Sequence, residues 1–355
     1  MLSETILADQ KITIPSSPFL NRLGYGTGVE LSRSPRAVIN SPWAYKLLSK
    51  RVKPNKESKI AEANILKRIS HSNIAKFRMS SKHSKIQYLA MEGCPLFLGE
   101  IMERKIVTNY EQFLPKQILK VAADIASALD YLHTKVQILH GDIKSYNILV
   151  KGKFEICKLC DFTVTLPLDE NGVFDKNRAG QAVYSGTDAW SAPEVIHGGE
   201  ISCKTDIWSL GLTLWEMLTL MPPHAVPGCT CGQTSTDDNS SLGDSLNDSL
   251  NDSISDSLGD SLDSVEDYFT GRYGTRPAVQ VNVSEKQFMH PLTLFYWCTE
   301  TEPARRLTAQ HLCAAANDML NHLRYGVWFP HLNHSETLCL NEIGRELNHC
   351  ENSTR

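Results

Sequence analysis

The stretch His140-Gly141-Asp142-Ile143-Lys144-Ser145-Tyr146-Asn147 decides how the chain is read. It puts a carboxylate, an ammonium two residues on and a carboxamide five residues on into one short loop. Asp142 can accept a proton from an attacking hydroxyl, and Lys144 can neutralise an anionic group in transfer. Asn147 can offer its carbonyl oxygen to a hard cation. Fourteen residues after Asn147 comes Cys160-Asp161-Phe162, a second carboxylate for the same cation. Gly186-Thr187, Trp190-Ser191-Ala192-Pro193-Glu194, Asp206-Ile207-Trp208-Ser209-Leu210-Gly211 and Arg306 then follow in order. Any one of these residues is ordinarily surface charge or core. The full ordered set is not expected by chance.

Upstream, Leu23-Gly24-Tyr25-Gly26-Thr27-Gly28-Val29 is a glycine-rich segment beside a predicted strand. Glycines let backbone N–H groups approach phosphate oxygens closely, although such a loop alone reads as a plain hairpin turn. Trp43-Ala44-Tyr45-Lys46 then puts a lysine on a strand, 22 residues after Gly24. Glu62 follows in the helical stretch 56–69. A strand lysine oriented by a helix glutamate can hold two phosphates, so order and spacing favour the functional reading of all three.

Composition excludes other classes. The chain has 355 residues, 41% apolar and 21% charged, an ordinary globular mixture rather than a fibrous or wholly disordered one. The most apolar run, Leu210 to Met221, carries Glu216 and stops at Pro222, so no membrane span is expected. The first eleven residues include Glu4 and Asp9 and lack a long apolar core. An intracellular chain, cytoplasmic or nuclear, is expected. Ten cysteines are too few for a disulfide scaffold, so Cys157 and Cys160 read as buried strand thiols and Cys229 and Cys231 as loop residues. Net charge is −4, but ten acids and no Lys or Arg fall between Gly228 and Asp267, leaving the remainder at +6. That balance suits phosphate-bearing ligands and is no nucleic-acid signature.

The same acidic stretch organises the chain. Its centre, GDSLNDSLNDSISDSLGDSL, repeats a four-residue unit with Asp at 244, 248, 252, 256 and 260. Ser, Asp and Asn are poor helix-interior residues and Gly243 and Gly259 interrupt the pattern, so a disordered insert is expected. The expected order is a leader (1–18), a β-rich lobe (19–92), a helical lobe (93–225), the acidic insert (226–267), the rest of the helical lobe (268–325) and a tail (326–355). Apolar residues recur at helical spacing over 114–133, 210–220, 292–298 and 308–323, while 138–150 and 154–164 read as short strands and loops.

With these motifs in hand, the chain resembles the eukaryotic protein kinases, in particular MAP-kinase-kinase-like members. The likeness is carried by IPSSPFLNRLGYGTGV, RSPR, SPWAYK, LHGDIKSYN, CDFTVTLPLDENG, GLTLWEMLTL and an acidic segment before GTRP. It implies an α+β, bilobal kinase fold with a small β-rich lobe and a larger helical one. It implies ATP and Mg²⁺ as cofactors and a protein substrate, a MAP kinase among them, in mitotic or MAP-kinase signalling. Nucleotide contacts are implied at Gly24, Gly26, Gly28, Val29, Ala44, Lys46, Met91 (the gatekeeper), Glu92 and Cys94. Glu62 pairs with Lys46 in this scheme. Asp142 accepts the proton, Asn147 and Asp161 bind metal, Thr187 sits beside Asp142, and Glu194 pairs with Arg306. Lys144 after the catalytic Asp is the serine/threonine or dual-specificity pattern.

Three positions depart from that pattern. Val29 stands where the third loop glycine usually sits. Gly141 replaces an arginine that ordinarily pairs with an activation-segment phosphate. Thr163 replaces the glycine after Asp161-Phe162, and a β-branched residue there either locks Asp161 in its metal-binding pose or holds it out. The competing readings are a pseudokinase scaffold without phosphoryl transfer and an adaptor working through its acidic insert. The C-terminal Asn352-Ser353-Thr354-Arg355 lacks a terminal apolar residue, so no PDZ partner is expected.

Overall fold

The protein is seen here as a computed structural model, which describes residues 11–13, 30–32, 43–47, 69–79, 88–92, 96–108, 112–225, 272–279 and 286–325. Strands β1 (Lys11–Thr13), β2 (Glu30–Ser32), β3 (Trp43–Leu47), β4 (Phe77–Met79) and β5 (Tyr88–Glu92) form one antiparallel sheet in the order β1-β2-β3-β5-β4. Its register pairs Lys46 with Leu89, Ala44 with Met91 and Trp43 with Glu92. The sheet is β-rich as expected of this lobe, but it begins earlier than 19: β1 lies in the stretch read as a leader (1–18) and pairs with β2.

β6 (Leu96–Phe97) leads directly into helix α1 (Leu98–Val107), with Glu100 accepting the Phe97 amide at 3.0 Å. Helix α2 (Pro115–Tyr131) begins with proline, whose missing N–H costs nothing in a first turn. Gln117 accepts the Leu114 amide at 2.9 Å ahead of it. Ile118, Val121, Ala122, Ile125 and Leu129 fall on its inward stripe and are fully buried. The helical signal read over 114–133 ends in a widened π turn, Leu132–Val136, closed by Gln137 in the left-handed region at φ 58°. β7 (Ile138–Leu139) precedes the HGDIKSYN loop, and β8 (Ile148–Lys151) and β9 (Ile156–Leu159) follow it as a hairpin. The hairpin reaches back to the segment after residue 69: Ala75 donates to Leu159 at 2.9 Å and Leu159 to Asn73 at 2.8 Å.

Helix α5 (Cys203–Thr219) is the axis of the larger lobe; two short helices, α3 (Lys176–Ala179) and α4 (Pro193–Ile196), precede it. It starts seven residues before the apolar run that announced it. Ser202 caps it by accepting the Lys204 amide at 3.3 Å. Of its 17 residues 14 are buried, so it has no solvent face and its polar side chains must find partners inside. Gly211 lets helix α6 (Met289–Cys298) approach; a Cβ there would lie 2.6 Å from that of Cys298. α7 (Ala309–Tyr325) completes the lobe against α2. Cys157 and Cys160 are buried, as read from the sequence, Cys157 within β9 and Cys160 directly after it. No helix among the described residues is long and apolar enough to cross a membrane.

Candidate active site

The site is built on a buried carboxylate. Asp206, in the first turn of α5, accepts the amides of His140 and Gly141 at 2.9 Å each and Nε2 of His133 at 2.8 Å. Three donors converging on one buried anion fix the start of the loop. Gly141 sits at φ +80°, where a side chain is strained, and a Cβ there would come within 3.1 Å of the Val164 carbonyl oxygen. The glycine in the usual arginine position is therefore fitted to its backbone.

His140 is fully buried, and burial lowers its pKa. Its Nε2 faces the Cys160 carbonyl at 3.1 Å and its Nδ1 faces the Asp142 amide at 3.3 Å. A carbonyl can only accept and an amide can only donate, which assigns the neutral tautomer with hydrogen on Nε2. The imidazole thus ties Asp142 to the residue before Asp161. Phe162, itself buried, meets the His140 ring edge-on at 5.0 Å.

The reactive groups lie at the mouth of this frame. Asp142 Oδ1 accepts the Thr187 hydroxyl at 2.5 Å. Lys144 Nζ donates to the same hydroxyl at 2.8 Å and lies 2.8 Å from Asp142 Oδ2. Asn147 Nδ2 donates to the Asp142 carbonyl at 2.7 Å and to Oδ2 at 2.9 Å. Both amide hydrogens are then used, so Asn147 Oδ1 is the atom left to accept or to ligate. The Asn147 carbonyl in turn accepts from the Cys160 amide at 3.0 Å, which links Asn147 to the segment that carries Asp161. Asp161 adopts φ +67°, and its Oδ1 accepts the Thr163 hydroxyl at 2.9 Å.

Two further anchors were not singled out from the sequence. Glu216, buried near the end of α5, accepts the Ser145 amide at 3.3 Å, the Ser145 hydroxyl at 2.9 Å and Trp190 Nε1 at 2.9 Å. Burial pushes its carboxyl up to about 7, against the pull of those bonds and of the Lys144 charge. Tyr146 donates its hydroxyl to Glu103 on α1, and the ring lies over Gly99, where a Cβ would meet it at 2.8 Å. The first contact was hidden because Glu216 falls inside the most apolar run of the chain.

The expected Glu194–Arg306 pair is present as a bidentate contact at 2.7 Å on both arms. Arg306 also donates to the carbonyls of Glu300 at 2.6 Å, Lys204 at 3.1 Å and Thr301 at 3.0 Å, so all five guanidinium hydrogens are placed.

Asp142, Lys144, Asn147 and Asp161 are thus drawn to one surface, with Thr187 among them. Lys46 and Ala44 lie on β3, and Met91 and Glu92 on the adjoining β5, with Ala44 opposite Met91. Gly24, Gly26, Gly28, Val29, Glu62 and Cys94 lie outside the described residues, as do the acidic insert, the tail from residue 326 and all of the expected leader but 11–13. The donor set of Asn147 and Asp161 is amide and carboxylate oxygen, the hard ligand chemistry that suits a divalent cation held beside phosphate.

The chain matches the protein kinase domain family over residues 19–316. It is similar to the human lymphokine-activated killer T-cell-originated protein kinase, 36% identical over 315 residues, covering 86% of this chain and 90% of that protein. It is also similar to mitogen-activated protein kinase kinase kinase 13-B of Xenopus laevis, 33% identical over 173 residues, 49% of this chain and 17% of that one. The serine/threonine-protein kinase pakA of Talaromyces marneffei is 32% identical over 220 residues, 61% of this chain and 32% of that protein.

Proposed function

This chain belongs to the protein kinase family, and on that premise we propose that it transfers the γ-phosphate of ATP, with Mg²⁺, to serine or threonine hydroxyls of protein substrates. One observation carries the reading: Asp142, Lys144 and Thr187 form a closed hydrogen-bonded triangle with distances of 2.5, 2.8 and 2.8 Å. In it the Asp142 carboxylate is oriented from two sides. It accepts the proton of the incoming hydroxyl, while the Lys144 ammonium stands within reach of the transferring group. Bound Mg²⁺ would neutralise charge on the β- and γ-phosphates, held by Asn147 Oδ1 and the Asp161 carboxylate. Lys46, supported by Glu62, holds the α- and β-phosphates. Met91 stands as gatekeeper and Glu92 to Cys94 form the hinge that contacts the adenine, while Gly24, Gly26 and Gly28, with Val29 and Ala44, close over the nucleotide.

The substrate class follows from the same residues. Lys144, two after Asp142, occupies the place that serine/threonine or dual-specificity kinases use, and two of the similar proteins carry MAP-kinase-cascade or serine/threonine-kinase names. A MAP kinase is therefore our proposed protein substrate, in mitotic or MAP-kinase signalling and in the cytoplasm or nucleus.

The test is transfer of labelled γ-phosphate to peptide libraries carrying Ser, Thr or Tyr as the single acceptor, with an inactive MAP kinase assayed alongside. Labelling of Ser and Thr peptides is expected. Labelling of Tyr alone would refute the assignment of Lys144 and Thr187.

A further inference from the structure

Thr163 stands where the family pattern has glycine, and the contact it makes is specific. We propose that Thr163 is a positioning residue, whose hydroxyl, donated to Asp161 Oδ1 at 2.9 Å, holds the Asp161 carboxylate in the orientation that binds a divalent cation. The inference rests on the reading of Asp161 as a metal ligand.

The terminal torsion of an aspartate is broad, so without a partner its two oxygens exchange places readily. The backbone on either side is clamped. Cys160 donates to the Asn147 carbonyl at 3.0 Å, and Phe162 is buried, 1% exposed, against the His140 ring. Asp161 between them is turned to φ +67°. Thr163 follows this fixed pair, and its β-branched side chain has few χ1 choices. Its hydroxyl is thus a donor on a fixed base, aimed at the torsion that orients the Asp161 carboxylate. A glycine there supplies no donor. Metal-binding carboxylates are commonly held by such a bond, and its loss weakens the metal. Of the two sequence expectations for Thr163, this contact favours the one that holds Asp161 in place.

The test uses the full chain and reads binding rather than turnover. ADP affinity is measured calorimetrically over a series of Mg²⁺ concentrations for wild type, Thr163→Val and Thr163→Ser. Thr163 is exposed, so valine removes the hydroxyl without opening a cavity. The Mg²⁺ concentration giving half of the full effect should rise about three- to tenfold in Thr163→Val, the range of one hydrogen bond, and Thr163→Ser should restore it to within about twofold. A Thr163→Val response equal to wild type, or one needing less Mg²⁺, overturns the positioning role and leaves Asp161 as a ligand. Wild-type ADP binding that ignores Mg²⁺ overturns the Asp161 assignment and this inference with it.

Discussion

The Asp206 carboxylate accepts the Gly141 amide at 2.9 Å, and it does so from the first turn of the most buried of the described helices. Because the loop backbone is drawn onto a rigid element at this point, Asp142 one residue later inherits a fixed position. The same helix grips the loop again through Glu216 and Ser145 at 2.9 Å. Two buried carboxylates ten residues apart on one helix therefore hold the catalytic loop by its start and its middle.

This arrangement makes Gly141 sensitive. Its φ is +80°, and a Cβ would lie 3.1 Å from the Val164 carbonyl oxygen. Gly141→Ala should cost about 1–2 kcal/mol of stability, the usual strain of an L-residue in the left-handed region. Gly141→Arg should cost at least as much and gain no dependence on activation-segment phosphate, since the backbone is displaced with it. Urea unfolding checks this; unchanged midpoints for both variants would contradict it.

Arg306→Met removes the partner of Glu194 while filling similar space. Glu194 would be left as a buried carboxylate accepting only Thr205 Oγ1, at 3.0 Å. Breaking one side of a buried pair costs about 3–5 kcal/mol, and a large drop in thermal midpoint is expected. A variant that melts with wild type would show that the pair stabilises nothing.

Glu216 gives a pH signature. Its carboxyl is raised by burial to about 7, whereas in the unfolded chain it titrates near 4.5. Between those values the folded state binds more protons than the unfolded one, so this group's contribution is full below about pH 4.5 and is lost as pH rises through 7. Glu216→Gln cannot titrate. The unfolding free energy of wild type minus that of Glu216→Gln should fall across this window, by on the order of 3 kcal/mol, and then level off. A difference that is flat with pH, or that rises, would contradict the raised value.

The grouping of Asp142, Lys144, Asn147 and Asp161 was legible in the sequence because one loop and one hairpin space them; their chemical roles are our proposal. Thr187, Glu194 and Arg306 followed from the resemblance and met their expected partners. Helix α2 was legible from its apolar stripe and α5 only in part, since the start of α5 is polar and its carboxylates are satisfied by distant segments. Glu216, Ser145 and His133 were hidden for the same reason: their partners lie 71 or 73 residues away, beyond what local periodicity reports. Two opposite poses of Asp161 fit the sequence around Thr163, and the hydrogen bond to Oδ1 became visible only in the structure.

The proposed function turns on Asp142 as the proton acceptor of a working phosphotransfer site. The most direct measurement is labelled γ-phosphate transfer from Mg·ATP to a protein substrate, for wild type and Asp142→Asn, with nucleotide binding measured on both. Turnover should fall by about 10²–10⁴ in Asp142→Asn while nucleotide affinity stays close to wild type. Equal turnover in the two proteins, or none in wild type with nucleotide bound, would contradict it.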